Sequence, residues 1–157
     1  MEKVRIRIRK VKRESLDNAK AIAEIEVKSG YRWRECIKDE LKLAKKIIKS
    51  KSLVYIAEHK SEAVGYFALT FRNKIADIDF LSVKKRYHHN GIGTKLLNRM
   101  IRLAKKNNKL SKIRIAVWAK NLPAIGLYKK FGFSVVRIKR KYYPNGDDKV
   151  VMEKMLR

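Results

Sequence analysis

The sequence predicts an α/β fold in which a central mixed β-sheet is flanked by helices. Three observations predict it. Short apolar or alternating runs recur along the chain, stretches with apolar residues at helical spacing interrupt them, and 157 residues suit a single domain over 1–157 with one core. The element order reads β-α-α-β-β-β-α-β-α-β-β, which lays helices on the faces of a mixed sheet.

The first strand is Val4–Val11, where apolar residues alternate with Arg, the period of a half-buried strand. A helix follows, with Ser15 or Asp17 as its cap, Ala19, Ile22, Ala23 and Ile25 at helical spacing, and Gly30 at its end. Residues 35–51 read as a second helix. Two strands, 52–58 and 63–71, are joined by a short turn at His59–Glu62, and residues 74–83 make a third strand in this run. A glycine loop then opens a helix over Gly93–Asn107. Residues 112–119 are a strand, and 121–133 hold a short helix ended by Gly132. The last two strands form a hairpin across Pro144-Asn145-Gly146-Asp147, where Asn-Gly is a turn signal.

Lys and Arg total 41 against 15 Asp and Glu, a formal charge of +26. Such a surface attracts polyanions by long-range steering, so a nucleic acid or ribosome near the protein is one reading of the charge. The other is a compositional drift toward Lys of the thermophile kind, which the absence of Gln fits, although Glu lags behind Lys. One cysteine, Cys36, excludes an intrachain disulfide framework, and three histidines give little for a metal. No stretch reaches the roughly 18 apolar residues of a membrane span. The expectation is a cytoplasmic protein with no membrane partner.

The segment Phe80–Lys106 carries the most chemistry. An apolar run leads into a basic loop, then Gly91-Ile92-Gly93-Thr94, then an amphipathic helix. A Walker A loop fails, because the residue five before Gly93 is His88. A dinucleotide fingerprint fails, because Leu96 stands where a third glycine is needed. What survives is a helix start that presents free N–H groups and a positive dipole end, with glycines that allow close approach. Asn90, Gly91, Ile92, Gly93, Thr94 and Lys95 are therefore expected to cradle a phosphate group, most simply a pyrophosphate, with His88 and His89 beside them either donating to it or standing as solvated loop residues.

The segment from Val83 to Leu97 resembles the acyl-CoA signature of the GNAT superfamily of N-acetyltransferases, with Gly91 and Gly93 at its two glycine positions and His88 where Gln or Arg is usual. Residues 116–136 resemble that family's second signature through Asn121, Ala124, Tyr128, Gly132 and Phe133. The two occur in the right order and separation. The resemblance implies acetyl-CoA as the donor and an amine as the acceptor.

It also implies roles. Backbone groups of Leu81, Ser82 and Val83 bond the pantetheine arm, with an N–H near Val83 as the oxyanion donor. Asn121 and Ala124 lie along the same arm, and Tyr128 is the general acid for the leaving sulfur. From the residues themselves, Asp77 and Asp79 fall on one face of their strand. Two acids in an apolar strand are costly unless solvated, ion-paired or used, so either is a candidate base, Asp79 first. Glu26 and Glu35 are further candidates for acceptor binding. The C-terminal segment from Lys139 to Leu156 resembles protein N-terminal acetyltransferases of the ribosomal-protein alanine type, which implies a protein or peptide acceptor held by Tyr142 and Tyr143. An α-amine, with a pKa near 8, needs only a weak base, whereas a Lys side chain near 10.4 needs a stronger one. A lysine or small-amine acetyltransferase, and a non-catalytic nucleic-acid-associated domain, are the competing readings.

Overall fold

The computed structural model describes residues 4–30 and 39–157. Among them lie strands β1 (Arg7–Lys10), β2 (Leu53–His59), β3 (Glu62–Arg72), β4 (Ile75–Val83), β5 (Lys112–Trp118), β6 (Ser134–Lys139) and β7 (Lys149–Met155). The helices are α1 (Leu16–Lys28), α2 (Glu40–Lys49), α3 (Ile92–Lys106) and α4 (Leu122–Lys130), with one 3₁₀ turn at Lys85–Tyr87. The seven strands form a mixed sheet in the order β1-β2-β3-β4-β5-β7-β6. Element order therefore agrees with the sequence reading. Glu35 and the start of the second expected helix lie outside the described residues. Among the described residues no helix is long and apolar enough to cross a membrane.

The chain divides into two compact units, Met1–Thr70 with Phe80–Arg99, and Phe71–Asp79 with Met100–Arg157. In the first, Ser15 caps α1 by accepting from the Asn18 N–H, and Ile22 and Ile25 on its apolar stripe are fully buried. They join Ile47 of α2 and Val54, Ile56 and Tyr66 of the sheet in one core. β2 and β3 are joined by the two residues Lys60-Ser61, both at positive φ, the backbone twist that suits a tight hairpin. Gly65 is needed for close approach: a Cβ there would meet the Ser82 carbonyl oxygen at 3.0 Å and the Val83 side chain at 3.2 Å.

In the second unit, β4 pairs in parallel with β5 from Ile75↔Lys112 to Ile78↔Ile115, and β5 pairs antiparallel with β7 along its whole length. Ile113, Ile115 and Met152 are buried there. The terminal hairpin is looser than its Asn-Gly signal suggests. β6 ends at Lys139, well before Tyr142 and Tyr143, and residues 140–148 form a loop. The turn that forms is centred on Pro144-Asn145 rather than on the Asn-Gly pair: the Gly146 N–H donates to the Tyr143 carbonyl at 2.8 Å, and Gly146 takes the positive φ that follows the turn. Carboxylates decide the loop's course instead: Asp148 accepts from the Lys141 N–H at 2.9 Å, and Asp147 from the Trp118 indole at 2.8 Å.

Candidate functional site

In the first unit the site is the end of β4 and the loop into α3. The Lys84 N–H donates to the Val64 carbonyl at 2.8 Å, so it points toward β3. Successive peptide groups of a strand point to opposite edges, so the Val83 N–H and carbonyl point away from β3. The His88 Nε2–H donates to that Val83 carbonyl at 2.8 Å. His88 therefore ties the loop back to the strand end. Asn90 turns its carboxamide N–H groups onto the Tyr87 and His88 carbonyls, at 3.2 and 3.0 Å. His89 and Gly91 both have positive φ, +63° and +74°. These backbone bends deliver the chain to α3, whose first intrahelical bond runs from the Lys95 N–H to the Gly91 carbonyl at 3.0 Å.

The amides of Ile92, Gly93 and Thr94 precede that bond and have no acceptor within the helix. No acidic residue sits in the first turn of α3, and among the described residues no atom beyond Gly91's own chain neighbours lies within 4 Å of where its Cβ would be. Dipole, amides and open space together fit an anion.

Two polar clusters brace this loop, a partly exposed one around the buried Lys84 and a buried one around Glu26. Lys84 is 1% exposed, with its ammonium 3.0 Å from Glu62 and 3.2 Å from Glu24. Glu62 also takes the Tyr87 hydroxyl at 2.6 Å and an ion pair from Arg86. The Tyr87 hydrogen bond, with Lys84 and Arg86, holds the Glu62 carboxyl down at about 2. Glu26, on the inner face of α1, is fully buried, and its Oε1 accepts from the Tyr66 hydroxyl at 2.5 Å and the Ser82 hydroxyl at 2.8 Å. Burial and then the adjacent Glu26 carboxylate push the Tyr66 phenol well above its ordinary range. The expected direct contact of Glu26 with an acceptor gives way to this: its carboxylate faces the core and holds β4 through Ser82. Leu81 is half-buried and Ser82 and Val83 are buried, so backbone rather than side-chain atoms are what this strand end offers.

In the second unit, Asp77 is engaged by Arg114 Nε at 2.7 Å and by Arg72 at 3.7 Å, and Asp79 by Arg72 at 3.4 Å. The two carboxylates do share a face, and that face is an ion-pair cluster. They stand in a cleft of about 600 Å³ whose other walls include Arg137, Lys139, Lys149 and Glu153. Tyr142 and Tyr143 meet edge to face with centroids 5.2 Å apart, and the Lys149 ammonium lies 3.9 Å from the Tyr142 ring centroid. A hydrogen bond from Lys149 and its charge lower the Tyr142 phenol below its ordinary range. Asn121 caps α4, its Oδ1 accepting the Ala124 N–H at 3.3 Å; its carboxamide nitrogen takes no part in that bond. Tyr128 is buried on α4 with its ring tilted against Phe133 at 5.8 Å. Among the described residues no cluster of His, Cys, Asp and Glu forms a metal site.

Sequence reasoning missed Lys84, Glu62, Tyr66 and Gly65. Gly65 alone left a local signal, a glycine inside a strand. The others depend on partners distant in sequence.

Comparison with known proteins places this geometry. The acetyltransferase (GNAT) family matches residues 19–133. An N-alpha-acetyltransferase of Sulfurisphaera tokodaii is 33% identical over 110 residues, covering 62% of this chain and 66% of that protein. N-alpha-acetyltransferase 50 of Danio rerio is 37% identical over 73 residues, covering 45% of this chain and 44% of that protein. The matched part is thus less than two thirds of either relative's own length. Among solved structures, the ribosomal-protein-S18-alanine N-acetyltransferase from Escherichia coli superposes with a TM-score of 0.81 at 22% identity, over 97% of this chain and 94% of that one, a likeness of fold.

Proposed function

The chain belongs to the GNAT family of acetyltransferases, and from that premise we propose that residues 1–157 act as one acetyltransferase domain that moves the acetyl group of acetyl-CoA to a protein N-terminal α-amine. The observation that carries the donor half is the opening of α3. Three amides without intrahelical acceptors, an open Gly91 and no first-turn acid suit the diphosphate of coenzyme A. The N-alpha-acetyltransferase names of the relatives, and the tyrosine pair Tyr142–Tyr143 beside the cleft, support the acceptor half.

The bound donor supplies an activated thioester; the chain's residues do the rest. The Val83 N–H, turned away from β3, donates to the acyl oxygen, and His88 holds the other half of that peptide edge in place. Tyr128 gives its hydroxyl proton to the departing sulfur. The amine loses its proton to Asp79 through water. Asp79 suits this better than Asp77, because its side chain is the more open, 20% against 11%, and Asp77 is spanned by two arginines. A peptide α-amine asks little of that base at neutral pH. Glu26 keeps Ser82, and with it the neighbouring Val83 peptide, from shifting. The reaction is placed in the cytoplasm, with a protein or nascent peptide as partner.

The test is an acetylation screen of peptides that each carry a free N-terminus and an internal lysine. Acetyl-CoA-dependent modification of the α-amine is expected. Modification confined to the lysine, or none in any peptide, would overturn the reading.

A further inference from the structure

The cleft of the second unit has an uneven charge pattern. Its floor acids are already matched: Asp77 by Arg114 and Arg72, Asp79 by Arg72, and Glu153 by Lys112 at 2.8 Å. Its β6–β7 rim is not. Arg137, Lys139 and Lys149 line the same cleft, and among the described residues no carboxylate lies in ion-pair reach of any of them. Lys139 and Lys149 are also direct cross-strand partners. Like charges in that position repel, and the arrangement costs stability in the empty state. Both ammonium groups lie over the Tyr142 ring, at 5.8 and 3.9 Å from its centroid, so the ring's negative face is what steadies them.

Resting on the acceptor reading above, we propose that this rim reads an acidic side chain of the acceptor, so that the protein prefers N-termini followed closely by Asp or Glu. The geometry separates two tasks in one cleft. The floor, with Asp79, receives the amine. The rim, with Lys139, Lys149 and Arg137, receives a carboxylate, which relieves the lysine–lysine repulsion. Arg137 is exposed on β6 and Lys149 half-buried on β7, so an acceptor reaches both from solvent.

The test is steady-state acetylation of three peptides that differ only at their second and third residues: Asp-Asp, Ala-Ala and Lys-Lys. The KM of the acidic peptide is expected to lie about tenfold below that of the basic one, the yield of two or three half-exposed ion pairs. The preference fades at high salt. Lys149→Glu, which places an acid opposite Lys139, is expected to reverse the order, and Arg137→Glu, at an exposed site, to weaken it. Equal KM values for all three peptides, or an unchanged order in both variants, overturn the inference and leave N-terminal acetylation standing. A Lys149→Glu protein whose KM rises for acetyl-CoA instead gives the rim to the donor and overturns it too. So does loss of single-stranded RNA binding with the peptide order intact, which gives the rim to a nucleic acid. If none of the three peptides is acetylated, the function proposed above fails and takes the inference with it.

Discussion

Replacing Glu26 probes the brace beneath the reacting strand. The side chain is fully buried, and one oxygen accepts both the Tyr66 and the Ser82 hydroxyl. Glu26→Ala leaves two buried donors without that acceptor, at about 1–3 kcal/mol each, so a loss of ~3–5 kcal/mol is expected. For a chain of this size that is a fall of about 8–15 °C in Tm. Alanine is a good helix former, so α1 itself is not the source of the loss. Glu26→Gln keeps an acceptor oxygen in place but gives up the charge, which roughly halves each bond, so about 1–2 kcal/mol is expected. Urea unfolding of the three proteins, read as a shift of midpoint at constant slope, measures both. In the Gln variant turnover should fall more than peptide KM rises, because Ser82 and Val83 loosen while the acceptor cleft is untouched. An Ala variant within about 1 kcal/mol of wild type, or a Gln variant as damaged as Ala, would refute the assignment.

Gly91→Glu is expected to weaken coenzyme A binding by about 100-fold, because a carboxylate replaces open space beside the phosphate amides; calorimetry showing normal affinity contradicts the anion site. Tyr128→Phe should lower kcat by about 100-fold while leaving acetyl-CoA affinity nearly unchanged, and unaltered turnover removes Tyr128 from the acid role. Glu62 has its carboxyl held down from 4.5 to about 2, chiefly by the Tyr87 hydroxyl and then by Lys84 and Arg86. A depressed carboxyl adds stability that is present above pH 4.5 and lost as pH falls toward 2. Discounted for its partial exposure, the loss is about 1–2 kcal/mol. Unfolding curves at pH 6 and pH 3 should therefore converge for wild type and Glu62→Gln, and curves that stay parallel would deny the cluster its role.

What the sequence made legible was local. Alternation placed β1, though as a longer strand than Arg7–Lys10, apolar runs between turn signals placed β2 to β5, and the glycine pair placed the start of α3 within one residue. Capping chemistry named Ser15 correctly as a possible cap, since it acts within three residues. What escaped was long-range. Glu26 looks like a helix-surface acid until Tyr66 and Ser82, 40 and 56 residues later, bury it. Asp77 and Asp79 showed their shared face, but not which arginines would stand opposite; Arg114 lies 37 residues beyond Asp77. The Asn145-Gly146 signal marked a turn within one residue, yet it could not reveal that Asp147 would be drawn to Trp118 across 29 residues. Sites assembled from such distant partners leave no periodic trace.

The central claim is that the amides at the opening of α3 grip the diphosphate of coenzyme A. Backbone amide spectra of the protein titrated with coenzyme A test it most directly. The account requires the Ile92, Gly93 and Thr94 signals to move together, saturating with the same dissociation constant that calorimetry gives. Saturable binding that leaves those three signals in place would contradict it.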